Sequence, residues 1–219
     1  MDLSVEGKSV RIPPGSHICQ LYSKVTEIPV VTARLLRVGL TLSEKCLFAA
    51  APAQVQELHE ELEKLNVDVA ALVASGQLML YDQRETFLAD GKRFDPYSLL
   101  SSHLSLIAQA LREGWKAVRI SMDMSWLTED VATPEQIMKY EAASDAVFTF
   151  QKAPIIALMH YDHTKMVQRN LAREMLRLHP ISVVGKHIKL NPYYLNSEQY
   201  MLKILRINKE KNNNSGNLQ

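Results

Sequence analysis

The chain has 219 residues, of which 47% are hydrophobic and 22% are charged, and its formal net charge is +1. A chain of this length can bury one sizeable core, so one domain with a tail is the simplest organisation. The near-zero charge excludes a nucleic-acid surface built on bulk electrostatics, and no apolar segment approaches the roughly 20 residues that cross a membrane.

The two cysteines do not indicate a disulfide. Cys19 and Cys46 lie inside apolar stretches, and the N-terminus shows no signal peptide. This pattern is typical of buried, reduced thiols in the cytoplasm. The sequence therefore predicts a soluble cytoplasmic protein that contacts neither a membrane nor nucleic acid directly.

Strands and helices are predicted to alternate from residue 16 onward. Residues 1–15, which end in the Pro13-Pro14-Gly15 turn signal, are expected to form an edge strand or a loose arm. Unbroken apolar runs predict buried strands, and apolar side chains at helical spacing behind capping residues predict helices. The predicted strands are His17–Tyr22, Lys45–Ala51, Gln77–Tyr81, Ala117–Met124 and Pro154–His163, and the predicted helices are 27–40, 52–65, 67–75, 95–113, 133–150, 164–179 and 197–207.

A hairpin and a tail complete the chain. Ile181–Leu190, interrupted by Gly185, is predicted to close as a β-hairpin, whereas the Asn-rich residues 208–219 cannot bury enough apolar surface to fold. The alternation as a whole predicts an α/β fold with a mainly parallel central sheet flanked by helices. The organised domain is expected to span residues 16–207.

The strand Pro154–His163 is the one beside which we expect a site. Its apolar run breaks abruptly at His160 into the polar sequence H-Y-D-H. In open α/β sheets, ligands bind just beyond the carboxyl ends of the strands. Asp123 ends the preceding predicted strand in the same way, so polar groups are expected to gather at this edge.

A conventional nucleotide site is not predicted. A phosphate-binding loop needs glycines that let backbone N–H groups wrap the phosphates. Here the first strand runs into Ser23–Glu27, which contains no glycine, and G-x-G-x-x-G is absent from the chain. Asp123 occupies the place of a magnesium-orienting aspartate in such folds, but without the loop a structural cap is the simpler interpretation.

Two pairs of side chains are of types that bind transition metals, namely His17-x-Cys19 and His160-x-x-His163. His17 begins its strand whereas His160 ends another, so in a parallel sheet the pairs lie on the order of 15 Å apart at about 3.3 Å per residue. One site built from both pairs is therefore disfavoured. Alternatively, Cys19 packs as a small hydrophobe and His17 forms local hydrogen bonds.

No pattern argues for an enzyme. The nucleophile elbow G-x-S-x-G is absent, and Cys46 falls in mid-strand, where a thiol is too buried to react. Aromatic and methionine side chains near the strand ends offer an apolar pocket with few polar groups, or simply a closed core. These residues are Tyr22, Met122, Met124, Trp126, Met159, Tyr161, Tyr193 and Tyr194.

Short fragments in a fixed order carry a resemblance to a known family. They are His17-Ile18-Cys19 with Tyr22, Gly39-Leu40, Glu44-Lys45-Cys46-Leu47, Asp123-Met124-Ser125-Trp126, Tyr140-Glu141, Tyr161-Asp162, His179-Pro180 and Asn191-Pro192-Tyr193-Tyr194. Together they resemble the MEDS domain, the sensory domain named for methanogens, methylotrophs and the dichloromethane-responsive regulator. The resemblance covers residues 16–195.

The resemblance implies an α/β core related to the RecA/KaiC type but without its phosphate loop. It also implies an input module that senses small hydrocarbon-like or methylated compounds and acts through a DNA-binding or kinase partner. Many members carry a cysteine before the Tyr-Asp pair, where this chain has Met159-His160. No output segment fits in the remaining residues, so the signal is expected to pass to a separate protein or to a domain beyond the tail.

The leading hypothesis is a non-enzymatic sensor that binds a small, apolar or methylated ligand at the carboxyl ends of the central strands. No cofactor is identified by the sequence. The residues predicted to bind the ligand are Trp126 and Tyr161 as walls, Asp123 and His160 as polar contacts, Tyr22 beside them, and, from the family pattern, His17 and Cys19 as a second site.

Two rival functions stay open at this point. One is a degenerate nucleotide-binding ATPase of the KaiC/RecA type, and the other is a metal- or thiol-dependent enzyme that uses His17, Cys19 and His160. A homodimer or partner surface on the basic helix Lys165–Arg177 is a further expectation. An ordinary solvated face is the simpler explanation of that helix.

Overall fold

The structure is a computed structural model that describes residues 2–5, 8–83, 94–129, 131–150, 153–185 and 187–203. The predicted tail, 208–219, lies outside the described residues. The predicted last helix is described only over 197–203, where it is helical.

Strands and helices alternate along the described residues as predicted. The strands are β1 (Asp2–Val5), β2 (Lys8–Arg11), β3 (Ser16–Tyr22), β4 (Lys45–Ala50), β5 (Leu78–Asp82), β6 (Val118–Asp123), β7 (Ile155–Asp162), β8 (Ile181–Val184) and β9 (His187–Leu190). The helices are α1 (Glu27–Thr41), α2 (Pro52–Lys64), α3 (Val69–Ala74), α4 (Pro96–Arg112), α5 (Pro134–Asp145), α6 (His163–Gln168), α7 (Ala172–Arg177) and α8 (197–203). A 3₁₀ turn covers Ser125–Thr128, and a π-helical turn, Ala146–Phe150, extends α5. Among the described residues, no helix is both long and apolar enough to span a bilayer.

The central sheet has the order β5–β4–β6–β7–β3–β8–β9, which puts the apolar strand β7 in the middle. All neighbouring strands in it are parallel except β8 and β9, which form an antiparallel hairpin. The predicted α/β fold, with its mainly parallel sheet and C-terminal hairpin, is confirmed. β1 and β2 pair with each other as a separate antiparallel ribbon.

The prediction of one continuous helix over 164–179 is wrong. The segment forms two short helices, because α6 ends at Gln168 and α7 begins only at Ala172. Between them Asn170 has φ 58°, in the left-handed region that asparagine adopts more readily than most residues. The basic residues of this segment therefore do not share one continuous helical face.

The polar side chains of β6 are covered by α1. All six residues of the strand are buried, although polar and apolar residues alternate along it. Arg119 Nη1 donates to the Leu35 carbonyl at 3.2 Å, and Ser121 Oγ lies 2.8 Å from Thr32 Oγ1. Arg119 and Ser121 thus each have a partner on the helix packed against this face, whereas Asp123 is bound by the turn after the strand.

A buried ion pair joins β6 to the start of β4. Arg119 is 1% exposed, and its Nε and Nη2 donate to the two carboxylate oxygens of Glu44. Paired hydrogen bonds of this kind compensate the desolvation of both charges. Gly39 of α1 makes room for the guanidinium, because a Cβ there would lie 2.4 Å from Arg119 Cδ and 2.6 Å from Arg119 Nε.

We expect Gly39→Ala to destabilise the protein, although alanine is the better helix former by roughly 1 kcal/mol. The added methyl group would press on a buried, ion-paired side chain that has no room to swing away, and overpacking costs about 1–3 kcal/mol. Urea unfolding should show the lower free energy of unfolding. Arg37→Ala, at an exposed position of the same helix, should change it by less than about 0.5 kcal/mol. A Gly39→Ala protein as stable as the parent would contradict this packing.

Candidate functional site

The carboxyl edge of the sheet gathers part of the predicted site. Tyr22 of β3 pairs in register with Asp162 of β7, and Asp123 of β6 pairs with His160 of β7. The strand ends selected from the sequence therefore meet at one edge. Their side chains nevertheless enter different surroundings, because successive side chains of a strand point to opposite faces of the sheet.

Asp123 is held by a local hydrogen-bond network. Its Oδ1 accepts from the Ser125 N–H and its Oδ2 from the Ser125 hydroxyl, both at 3.0 Å. Gln54 Nε2 donates to Oδ2 at 3.4 Å, and the Tyr22 hydroxyl donates to Oδ1 at 3.5 Å. Burial raises the pKa of Asp123, and the hydrogen bonds from Ser125 and Gln54 act against this shift. The carboxylate thus caps the turn after β6 and contacts Tyr22.

His160 lies on the face covered by α1. Its Nδ1 donates to Gln20 Oε1 at 2.8 Å, and its Nε2 is hydrogen-bonded to Ser121 Oγ at 2.7 Å and to Thr32 Oγ1 at 3.1 Å. Burial lowers the pKa of His160 to about 3. The ring is therefore neutral, and both of its nitrogens are already engaged, although Gln20 Nε2 has no hydrogen-bond partner among the described residues.

Trp126 and Tyr161, the predicted walls of the ligand site, both lie in the core. Trp126 is 2% exposed and packs edge-to-face on Phe94, with ring centroids 5.8 Å apart. Tyr161 is fully buried, and its hydroxyl donates to Glu141 Oε1. Neither side chain lines the two clefts that are described below.

A second group of side chains meets on the face of the sheet covered by α5. His17 Nε2 lies 3.5 Å from Glu141 Oε2, and His179 Nε2 lies 3.1 Å from the same oxygen. The two imidazole rings have centroids 4.0 Å apart, and all three side chains are fully buried. We call His17, Glu141 and His179 the buried triad. Cys19 and Tyr161 lie on the same face.

Two members of the buried triad were missed as site residues in the sequence. Glu141 follows Ile137 by four residues, so the helical spacing already placed it on the buried face of α5. That spacing and the family fragment Tyr140-Glu141 were the two available signals. His179 follows the end of α7, where no periodic pattern applies, and only the fragment His179-Pro180 of the family resemblance pointed to it.

The facing atoms of the buried triad lack hydrogen bonds. Within the described residues, His17 Nε2, His179 Nε2 and Glu141 Oε2 have no hydrogen-bond partner, although they lie close together. A buried polar atom without a partner costs about 1–3 kcal/mol. Burial, reinforced by the neighbouring His179, lowers the pKa of His17 well below its usual value. The group is therefore a polar cluster that the protein itself does not satisfy.

Cys19 lies two residues along β3 from His17. Burial, followed by the negative charge of Glu141, raises the pKa of its thiol well above the usual value. Because the thiolate is the reactive form of cysteine, this environment keeps the sulfur inert as a nucleophile.

The turn from β3 to α1 carries a carboxylate where a phosphate loop would present free N–H groups. Glu27 lies in the first turn of α1, and its Oε1 accepts from the Lys24 N–H at 2.9 Å. The positive end of a helix favours anions, and here a side chain of the protein already supplies the negative charge. A phosphate at this place would meet electrostatic repulsion.

A cleft of about 550 Å³ opens at the carboxyl end of β3, and we call it the β3 cleft. Tyr194 connects it to the interior, because its hydroxyl lies 3.1 and 3.2 Å from the carboxylate oxygens of Asp145, one turn beyond Glu141 on α5. A second cleft, of about 760 Å³, lies between β5 and α4. The β3 cleft is lined by Leu21, His163, Ala172, Arg173, Leu176, Arg177, Pro192, Tyr193, Tyr194 and Leu195.

Comparisons with known proteins bear on both the fold and the site. The family model described as the MEthanogen/methylotroph, DcmR Sensory domain (MEDS) matches residues 16–180. Among solved structures, the chain is similar to the flagellar accessory protein FlaH from Methanocaldococcus jannaschii, with 15% identity, coverage of 84% of this chain and 80% of FlaH, and a TM-score of 0.54. At that identity the likeness shows only the RecA-like fold. No curated protein matches the chain.

We expect magnesium-ATP not to bind. The β3–α1 turn offers no glycine-lined cradle, and Glu27 repels the phosphates, so calorimetric titration should give no binding heat and the melting temperature should not change. Glu27→Gln, which removes the charge but keeps an oxygen that can accept from the Lys24 N–H, should also show no binding, because the loop itself is missing. Saturable heat with the parent protein would restore the ATPase alternative.

The buried His160 should make stability depend on pH. Its pKa is about 3 when folded and 6.5 as a free group, so between these values the unfolded chain binds a proton that the folded protein does not. The free energy of unfolding should therefore fall as the pH falls, by about 2 kcal/mol between pH 6.5 and 5 from this residue.

Urea unfolding at the two pH values tests this contribution. His160→Gln should lose that share of the pH dependence, whereas His59→Gln, in which the replaced side chain is 36% exposed, should keep it. An unchanged slope in folded His160→Gln protein would show that the histidine titrates normally.

Proposed function

The chain belongs to the MEDS family of sensory domains, and on that premise we propose that it is the signal-input domain of a regulatory system. The proposed stimulus is a small hydrocarbon-like or methylated compound. The proposed response passes to a DNA-binding regulator or a kinase, and so controls transcription or signalling. The observation that carries this proposal is the β3 cleft at the carboxyl edge of the sheet.

The size and lining of the β3 cleft suit a small, mostly apolar guest. Its volume of about 550 Å³ falls within the range of about 300–1,000 Å³ that is usual for small-molecule sites. Leu21, Leu176 and Pro192 supply apolar surface, and His163 and Tyr194 supply polar groups. Two arginines, Arg173 and Arg177, also line the cleft, and Arg177 is paired with Glu174. We therefore propose that the ligand binds at the same edge of the sheet as predicted from the sequence, but beside β3.

The wall of the cleft is tied to the rest of the domain. Asn191 Nδ2 donates to the carbonyls of Leu176 and His179, the second at 2.9 Å, and the Leu195 N–H donates to the Arg177 carbonyl at 2.8 Å. A cleft whose wall is anchored in this way needs little reorganisation to accept a ligand.

Tyr194 offers a route from the ligand to the interior. Its hydroxyl contacts the carboxylate of Asp145, which is buried at the end of α5. A ligand that displaces Tyr194 would therefore change the environment of Asp145 and of the helix that carries Glu141. A ligand can transmit a signal in this way only if it binds more tightly to one conformation of the domain than to another that differs in the position of this helix.

The output surface is proposed to lie on the terminal hairpin. Val184 is 58% exposed and Leu190 is 74% exposed, which is unusual for apolar residues of a sheet. Tyr193, 70% exposed, belongs both to this surface and to the β3 cleft. An output protein seated on β8 and β9 would thus contact a residue that the ligand also contacts.

Thermal-shift measurements with dichloromethane, methylamine and methanethiol test the ligand class. A compound that binds the β3 cleft should add about 2.7 kcal/mol to the free energy of unfolding at 100 times its Kd. Leu21→Trp, which fills the cleft, should abolish that shift. Leu42→Trp adds the same bulk at a position 41% exposed at the end of α1, and should retain the shift.

Two results would count against the proposal. If both tryptophan variants respond like the parent protein, the ligand does not occupy the β3 cleft. If no probe of the three classes changes the melting temperature of the parent protein, the proposed stimulus is wrong.

A further inference from the structure

The buried triad meets the conditions of a metal site, and we propose that it binds one divalent first-row transition metal ion, such as Zn²⁺ or Fe²⁺. The potential ligand atoms of His17, Glu141 and His179 all lie within 4.8 Å of one another. Two imidazoles and one carboxylate form a ligand set that suits these ions, whereas Ca²⁺ and Mg²⁺ prefer oxygen ligands alone. This site does not depend on the ligand proposed for the β3 cleft.

The tautomer of His179 leaves a lone pair pointing into the cluster. Its Nδ1 lies 2.6 Å from the Met175 carbonyl oxygen, which can only accept, so Nδ1 carries the proton. In the neutral ring, Nε2 is then an acceptor that lies 3.1 Å from the carboxylate oxygen of Glu141. A metal-binding histidine typically donates its other N–H to a backbone carbonyl in this manner.

Glu141 is oriented by a similar outer contact. The Tyr161 hydroxyl donates to Oε1, and this leaves Oε2 directed at the two histidines. A hydrogen bond to one oxygen of a carboxylate that binds a metal through the other is a common support of metal sites. Two of the three proposed ligands thus have the partners that fix a metal ligand in place.

The geometry of the buried triad does not fit hydrogen bonds between its own side chains. His17 Nε2 and His179 Nε2 are close enough to Glu141 Oε2 for hydrogen bonds, at 3.5 and 3.1 Å, yet neither contact has hydrogen-bond geometry. A hydrogen bond requires the N–H to point at the acceptor. A metal ion between the atoms requires only that their lone pairs meet at one point.

The separations also match a coordination sphere. Two ligands at roughly 2.0–2.1 Å from a tetrahedral metal ion are about 3.3–3.4 Å apart. The two nitrogen–oxygen separations of 3.5 and 3.1 Å lie on either side of this value. These two separations would change by only a few tenths of an ångström when an ion binds.

Metal analysis of the full chain tests the proposal. The protein is unfolded in urea with a chelator, refolded with Zn²⁺ because a fully buried site exchanges slowly, and freed of excess metal. We expect about one equivalent of Zn²⁺ per chain. Refolding with Co²⁺ should give the visible absorption bands of a site with nitrogen and oxygen ligands.

Substitutions locate the metal. His17→Gln, Glu141→Gln and His179→Gln should each weaken binding at least tenfold, and Tyr161→Phe, which removes only the outer hydrogen bond, should weaken it roughly 10–100-fold. His59→Gln is the matched control, because His59 and Glu63 form a surface pair, 3.6 Å apart, that could hold adventitious metal. That variant should bind like the parent protein.

Three outcomes would overturn the proposal. In the first, the refolded parent protein takes up no Zn²⁺ or Co²⁺. In the second, folded His179→Gln protein binds the metal as tightly as the parent protein. In the third, His59→Gln protein no longer binds the metal. Only variants with the parental circular dichroism are compared. Where a triad variant does not fold, the proposal is tested by the metal stoichiometry of the parent protein and by the metal affinity of Tyr161→Phe.

Discussion

Burial of the central strands on both faces is the constraint on which the rest of the structure depends. A strand in such a position cannot leave a polar side chain in water, and a buried polar group without a partner inside the protein is costly. Along β6, Arg119 pairs with Glu44, Ser121 bonds His160, and Asp123 caps the following turn. The polar residues of the sheet are therefore organised as interior networks, and the helices that cover the sheet are held by them.

The two faces of the sheet differ in how completely those partners are supplied. On the α1 side, His160 has a hydrogen bond at each ring nitrogen. On the α5 side, the facing atoms of His17, Glu141 and His179 have none within the described residues. A satisfied network stabilises one packing of the core, whereas an unsatisfied buried cluster points to something that it binds. Gln20 Nε2 on the α1 side also lacks a partner among the residues that the structure describes, so the difference lies in the clustering, because three unsatisfied atoms of the buried triad face one another.

The proposed function gives a RecA-like architecture a purpose other than nucleotide binding. The chain has a RecA-like sheet, but Glu27 occupies the helix start at which such folds commonly hold a phosphate. The carboxyl edge still offers the β3 cleft, in which apolar side chains prevail and Tyr194 contacts α5 through Asp145. In the proposed function, an apolar cleft in place of an anion cradle changes the class of ligand without changing the layers of the domain.

Local patterns were sufficient for the architecture but not for the site. The apolar run of β7, the strand–helix alternation and the missing glycines indicated the sheet and the absence of a phosphate loop, because those features depend on residues near one another in the chain. The meeting of His17 with Glu141 and His179 was decided by the packing of α5 and α7 on β3. The same packing buries Trp126 and Tyr161, which the sequence predicts as walls of the ligand site. Which side chains face one another across a core depends on contacts between distant segments of the chain. Such contacts cannot be predicted from a short stretch of sequence.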